Sequence, residues 1–470
     1  MAVPLLSKLK SFLASGYASG KEGPLPLPYN DDRRPLPSWS VINKYNIGPV
    51  EYYLYRGGDG TPRLMVKEPE PIDSEELIDM AAGVAKPKNE VEDYLVRKYR
   101  SGYGKIYPLI VDPHIEEISY SGSSDHVAVI HKLIPSRWVI TDIRLTPEEA
   151  NGLVVELSRK AGKSISIASP YVEGLTEEGH RVSLSFMNEI TRFGSSFVIR
   201  KYPQKPFTMA DLLASNTIEP LAAAYLWMIE EAQGFILVSG AMGAGKTTVL
   251  QSLLSLLPPY SKVVTIEDTP ELVVVGPLWD SLVVRPKLPG QEVQEVTLED
   301  LLKFALRRRA DYVIVGEVRG REGRLLAQAA ASGYGAMTTI HGDSPQGVIM
   351  RLSMEPIRLP PIFISTIKSI VQVRRIPGTG GRAVRKVTEI AEVDDDGNAV
   401  TVYRADETSV DDLLDRSKQL EWAASQLGIQ DVREELTSRA KFLSGVAGRS
   451  AEELRGELAK FYISRYGDVL

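Results

Sequence analysis

Cysteine is absent from all 470 residues. No disulfide framework can staple this chain, and no cysteine-ligated zinc can form in it. That absence fits a cytosolic protein without requiring one. A bilayer-spanning run is also missing, since none approaches the ~18–20 apolar residues needed. The longest candidate, Leu221–Ile229, stops at Glu230 and Glu231. Excess positive charge is lacking too. Fifty-five basic against 61 acidic side chains leave a net charge of −6, the wrong sign for a protein held to nucleic acid by bulk charge, although a local basic channel remains compatible with it. What is present, 43% hydrophobic and 25% charged residues, excludes disorder and collagen-like order.

The length suggests three or so domains. Residues 1–95 read as a variable extension. Within it Leu5, Leu6, Leu9, Phe12 and Leu13 share one helical face, and Lys8 and Lys10 interrupt what would otherwise resemble a signal-peptide core. Such a helix either touches a membrane surface or partner, or docks on its own protein. Five prolines in Gly23–Pro37 favour an extended linker. Val50–Tyr55 reads as a strand, and Ser74 is a candidate N-cap for a helix running to about Tyr99. Residues 96–202 read as mixed α and β, with an alternating strand around Val127–His131 and a capping box at Thr146–Glu149. Pro203–Pro206 reads as a hinge. In residues 203–405 short apolar strands alternate with helices, the pattern of a parallel sheet covered on both faces. Residues 406–470 turn helical, with Leu413, Leu414, Leu420, Trp422, Ala423 and Leu427 as core candidates.

The strongest chemical signal is Gly240–Ala241–Met242–Gly243–Ala244–Gly245–Lys246–Thr247, a full match to GxxxxGK[ST]. Its glycines let backbone N–H groups converge on phosphate oxygens at the positive end of the following helix. Lys246 supplies charge to the β- and γ-phosphates of ATP, the Thr247 hydroxyl can ligate Mg²⁺, and Thr248 continues the binding stretch. Acidic residues follow at strand ends. Glu267–Asp268 close one apolar run with Glu271 one turn beyond, and Glu317 closes another. Ligands of open α/β sheets bind beyond the carboxyl ends of strands. Glu317 is therefore expected at the magnesium, through water, and Glu271 at the attacking water. His341, one of five histidines, ends a third strand and is placed to hydrogen-bond the γ-phosphate. Arg181, Arg192 and Arg200 are candidates to neutralise charge on the transferred phosphoryl group. Each also has an ordinary reading as a surface ion pair. Arg307–Arg309, after the helix opened by Thr297 and Asp300, read as a solvated helix end.

Taken together, Gly240–Thr247, the acidic box Glu267–Glu271, Val313–Glu317 with Arg319, and the histidine box Thr338–His341 resemble the secretion ATPase superfamily, the motors of type II secretion, type IV pilus assembly, archaellum rotation and conjugative transfer. Asp112–Ile118 and Ala224–Trp227 look most like its archaeal branch. The resemblance implies an α/β fold with a RecA-like P-loop domain, a mixed α/β N-terminal domain and a helical C-terminal region. It also implies ATP hydrolysis with Mg²⁺, a homohexamer, and a cytoplasmic location at the inner face of the membrane. Arg181 and Arg192 become arginine fingers by the same analogy. A polytopic membrane platform protein would be the partner, acting on pilin- or archaellin-like subunits. A tetracysteine zinc module, frequent in bacterial extension motors, cannot exist here. The competing readings are a DNA-translocating or conjugative-transfer motor on the same core, and a nucleotide-gated binding module that hydrolyses little. Net acidity weighs against the first and the complete acidic boxes against the second.

Overall fold

The computed structural model describes residues 41–57, 60–134, 138–202, 206–285, 294–377 and 383–467. The Leu5–Leu13 stretch, the proline-rich Gly23–Pro37 segment and the first three residues of the expected hinge, 203–205, lie outside the described residues. The chain divides into two units, Met1–Lys201 and Tyr202–Leu470.

The first unit is built on a nine-stranded sheet, β1 (Val41–Ile47), β2 (Val50–Arg56), β3 (Pro62–Lys67), β4 (Ile115–Tyr120), β5 (His126–His131), β6 (Trp138–Arg144), β7 (Tyr171–Leu175), β8 (Arg181–Ser185) and β9 (Ser196–Arg200), in the order β1-β2-β3-β6-β5-β4-β9-β8-β7. All pairings are antiparallel except β3 with β6. Alternation dictates the buried face. In β5, Val127, Val129 and His131 are buried and their neighbours are not. Four helices, α1 (Ser74–Ala81), α2 (Glu90–Ser101), α3 (Tyr107–Val111) and α4 (Pro147–Lys160), supply core residues to that face. The expected capping box at Thr146 and Glu149 opens α4.

Three expectations differ here. Asp73, not Ser74, caps α1, because its carboxylate accepts from the N–H groups of Glu75 and Glu76. The single helix expected from Ser74 to Tyr99 is two, since Gly83 at φ +79° turns the chain out of the first and Asn89 caps the second. Residues 41–67 are also no appendage, for β1–β3 continue the same sheet. At the unit's last residue, the buried Lys201 ammonium donates to the carbonyls of Leu109 (3.1 Å) and Asp112 (2.5 Å), and burial pushes it down to about 7.

The second unit holds eight strands, β10 (Phe235–Gly240), β11 (Val263–Glu267), β12 (Trp279–Val283), β13 (Tyr312–Glu317), β14 (Gly335–His341), β15 (Ile367–Pro377), β16 (Ala383–Val393) and β17 (Ala399–Arg404). Their order is β12-β11-β13-β14-β10-β15-β16-β17. The strands run parallel from β12 to β15 and antiparallel from β15 onward. Both faces are covered, as continuous apolar strands require. In β10, Ile236 and Val238 enter one core while Phe235 and Leu237 enter the other. The first core takes in α5 (Met209–Ala214), α6 (Pro220–Glu231) and α7 (Lys246–Leu253). The second takes in α8 (Leu298–Ala305), α9 (Glu322–Ala331), α10 (Pro345–Ser353) and α11 (Pro361–Ile364).

The C-terminal helices α12 (Val410–Arg416), α13 (Lys418–Leu427), α14 (Val432–Val446) and α15 (Ala451–Tyr466) join the first core rather than standing apart. Leu413, Leu420 and Ala423 are fully buried in it, and Leu414 and Trp422 pack on its margin. Glu230 and Glu231, expected to break the apolar run of α6, are buried as well. Arg439 of α14 lies between Glu231 (2.6 Å) and Glu435 (2.5 Å), with its guanidinium 4.5 Å from the centre of the Trp227 ring. Arg308, expected on a solvated helix end, is tied to β12 through Asp280 (2.6 Å), while its carbonyl accepts from Lys262 (2.7 Å).

Candidate functional site

The glycine-rich loop joins β10 to α7. Gly240 needs its missing side chain, because a Cβ there would stand 2.5 Å from the Val373 carbonyl oxygen of the adjacent β15. Gly245 sits at φ +102°, in the region L side chains avoid, and serves as the N-cap of α7. Helices such as α4, α5 and α8 begin with a threonine whose hydroxyl accepts a backbone N–H. Gly245 has no side chain to do so, and the first N–H groups of α7 have no acceptor within the helix. They are thereby left for an anion. Lys246 is buried at the loop, and its ammonium donates to the carbonyls of Gly240 and Ala241 at 3.2 Å each. Thr247 and Thr248 follow on the same turn, half-buried.

Three strand ends converge beside this loop. Strand β14 lies next to β10 and β13 next to β14, so His341 and Glu317, their last residues, line up with Lys246. The Lys246 ammonium is 3.4 Å from His341 Nδ1, and His341 Nε2 is 3.1 Å from Glu317 Oε1. The other Glu317 oxygen accepts from Arg319 at 2.6 Å. An ammonium can only donate, so Nδ1 accepts and the ring proton sits on Nε2, facing the carboxylate. Burial first, and then the Lys246 charge, hold His341 below the usual imidazole value and so favour that neutral form. Burial, with Arg319 and Arg351 nearby, likewise lowers Lys246. Glu322 fixes the turn beyond Glu317, its Oε1 accepting from the N–H groups of Arg319 (2.7 Å) and Gly320 (2.6 Å).

The acidic box folds around Glu267. This residue ends β11, is 3% exposed, and accepts from the N–H groups of Glu271 (2.9 Å) and Leu272 (3.1 Å) through one oxygen. Its second oxygen has no hydrogen-bond partner among the described residues. Burial pushes its carboxyl up to about 7, with the Glu271 charge adding to the effect. A Cβ placed on Gly316 would lie 3.2 Å from Glu267 Cγ, so the acidic box abuts the turn carrying Glu317. Glu271 itself is half-buried, and Glu267 holds its backbone.

The three arginines belong to the first unit. Arg181 and Arg200 are directly opposite each other on β8 and β9, and each has a carboxylate neighbour, Glu173 at 4.0 Å and Glu117 at 3.9 Å. Arg192 lies in the turn before β9 and lines a cleft of about 620 Å³ with Asn151, Asn188 and Ser195. Its guanidinium rests 5.7 Å from the centre of the Phe193 ring.

Several site residues escaped the sequence reading. Glu267 belonged to a box with three acids, and burial, which singles it out, is not written in that box. Glu322 stands three residues after Arg319, a spacing that could have suggested a side chain folding back on its own turn. Arg351 and Arg385 belong to no motif, and only the tertiary fold brings them to the loop.

Comparison with known proteins gives the chain a family. The family described as type II/IV secretion system protein matches residues 176–432, more than half of the chain. An uncharacterized protein of Methanocaldococcus jannaschii is 32% identical over 302 residues, covering 64% of this chain and 54% of that protein. A second from the same organism is 41% identical over 241 residues, covering 50% of this chain and 89% of its own. This chain thus spans little more than half of the first relative's length. The X-ray structure of the Legionella pneumophila ATPase DotB is 20% identical, with a TM-score of 0.46, and covers 75% of this chain and 89% of that one. Because that family's model matches more than half of the residues, this chain belongs to the type II/IV secretion system protein family.

Proposed function

We propose that the protein is an ATP hydrolase that works as a ring of six copies. It would drive assembly or secretion of pilin-like or archaellin-like subunits through a polytopic platform protein at the inner face of the cell membrane. The observation that carries the reading is the alignment of Lys246, His341 and Glu317 at the carboxyl ends of three neighbouring parallel strands. A triphosphate laid on the loop meets a cation, a neutral imidazole and a carboxylate in succession.

The residues also suit a magnesium ion. Among the described residues no group of three or more His, Asp or Glu is arranged to hold a metal alone. Glu317 Oε1 is buried with no hydrogen-bond partner among the described residues, an acceptor open to a water of such an ion. The Thr247 hydroxyl and, through water, the Glu317 carboxylate are the donors at hand. When bound, the ion would neutralise negative charge on the phosphate groups. Lys246 holds the same phosphates, and Glu271 accepts a proton from the attacking water. His341, whose Nε2 lies 3.1 Å from Glu317 Oε1, is placed to turn to the γ-phosphate, so that its contacts register hydrolysis. Of the three arginines, Arg192 has no ion-pair partner among the described residues, so its charge is the one uncommitted to a carboxylate and available to neutralise a transferred phosphoryl group.

Two substitutions test the reading. Lys246→Ala should weaken ATP binding at least 100-fold in a direct titration, whereas Glu271→Gln should bind ATP normally and lose at least 100-fold in turnover. Parental turnover in Glu271→Gln would remove that residue from the role of base. Parental binding in Lys246→Ala would remove the nucleotide from the loop.

A further inference from the structure

The β15–β16 hairpin carries two pairs of cations directly across from each other, Arg374 with Lys386 and Arg375 with Arg385. Like charges in cross-strand register repel, so each pair requires compensation. The first has it. Lys386 is 2.5 Å from Asp406 and 3.4 Å from Glu219, and Arg374 donates to the Asp343 carbonyl at 3.2 Å. The second has none, for neither Arg375 nor Arg385 has an acidic side chain within 4 Å among the described residues, and both are exposed. The uncompensated pair lies beside the phosphate loop. A Cβ on Gly245 would stand 3.1 Å from Arg385 Cδ and 3.8 Å from its Nε, so the stem of Arg385 lies on the residue that opens α7.

Strand order assigns the end of the nucleotide this cation meets. His341, Glu317 and Glu267 end β14, β13 and β11, all on one side of β10. The groups suited to the γ-phosphate and the attacking water are therefore confined to that side. Strands β15 and β16 lie on the other. A triphosphate whose γ end faces His341 leaves its α-phosphate toward the hairpin. We propose that Arg385, with Arg375 across from it, binds the α-phosphate end of the nucleotide from within the same subunit and so sets affinity for ATP and ADP alike. The inference rests on the nucleotide-binding reading above, and it adds a binding determinant outside the loop and acidic boxes. A guanidinium held by its stem against the loop is preorganised for a phosphate oxygen. Because the α-phosphate is unchanged by hydrolysis, the contact contributes equally to ground and transition states.

The test uses the full chain. Arg385→Gln should raise the Kd for ATP and for ADP by the same factor, about tenfold or roughly 1.4 kcal/mol, and leave kcat at saturating ATP unchanged. Arg385→Lys should recover part of the affinity. The melting temperature without nucleotide should hold or rise, since one of two repelling charges is gone. Unchanged Kd values, a change for ATP alone, or a fall in kcat at parental Kd would each overturn the assignment. A lower melting temperature without nucleotide would also do so, by making the stem structural. Failure of the broader reading looks different, because the unsubstituted protein would then bind neither nucleotide.

Discussion

Glu267 shows how one buried side chain can organise the turn that follows it, by accepting from the N–H groups of Glu271 and Leu272. Its buried carboxyl is held up to about 7, against an ordinary value of 4.5, so the folded state prefers it neutral. A raised acid of this kind contributes stability that is complete below pH 4.5 and is lost as the pH rises through 7. Glu267→Gln keeps an oxygen for the Glu271 and Leu272 N–H groups and cannot ionise. Its urea-unfolding free energy is therefore expected to vary less between pH 4.5 and 8 than that of the parent. Identical pH slopes for the two proteins would show that this carboxyl does not titrate in that range. His341 makes a second case. His341→Ala removes the link between Lys246 and Glu317 while leaving the loop intact, so ATP binding should change less than fivefold and turnover should fall at least tenfold.

At this scale the sequence was informative where chemistry is contiguous. Gly240–Thr247 is one uninterrupted string, and Glu317 and His341 close apolar runs long enough to be recognised as strands. It was silent where partners come together only through sheet pairing. Arg385 is 140 positions beyond Gly245 and reaches it because β15 pairs with β10 and β16 with β15.

Among the elements, the helices were easiest to read where a cap and an apolar stripe agreed. Thr146, Thr297 and their partner acids cap α4 and α8 as expected. Where an aspartate and a serine stood side by side, at Asp73–Ser74, composition alone could not choose between two good caps. Of the first three strands only β2 was read, as Val50–Tyr55; β1 and β3 were harder, because their alternation is weak and a proline-rich stretch precedes them. The α6–α14–α15 contact was not legible at all. It depends on Arg439, in a charged stretch of sequence, entering a core lined by Trp227 and Phe461. Removing that guanidinium takes its ion pair from the buried Glu231, which keeps neutral contacts such as the Tyr462 hydroxyl (3.4 Å), and leaves Glu435 to Arg465. Arg439→Ala is accordingly expected to cost about 3–5 kcal/mol in chemical unfolding, a loss out of scale with an exposed arginine. A loss below about 1 kcal/mol would show that the pair is solvated.

For the whole molecule, the working unit proposed is a ring of identical copies, and that reading has a physical signature. Turnover per chain should rise with protein concentration in the range where sedimentation with Mg²⁺ and ATP shows the hexamer forming. Full specific activity from a species that sediments as a single copy would remove the ring from the mechanism. Among the described residues no helix is long and apolar enough to cross a membrane.

The clasp between α6 and the last two helices has one further consequence. Helix α6 leads directly into the strand that ends in the phosphate loop, yet its inner face is closed by residues more than 200 positions later, Arg439 and Tyr462. Whoever trims this chain after its final strand, to isolate a minimal catalytic body, would uncover an indole and abandon a carboxylate on the helix that feeds the strand ending in the loop. The tail, which carries none of the recognised boxes, is a retaining wall for the chemistry upstream.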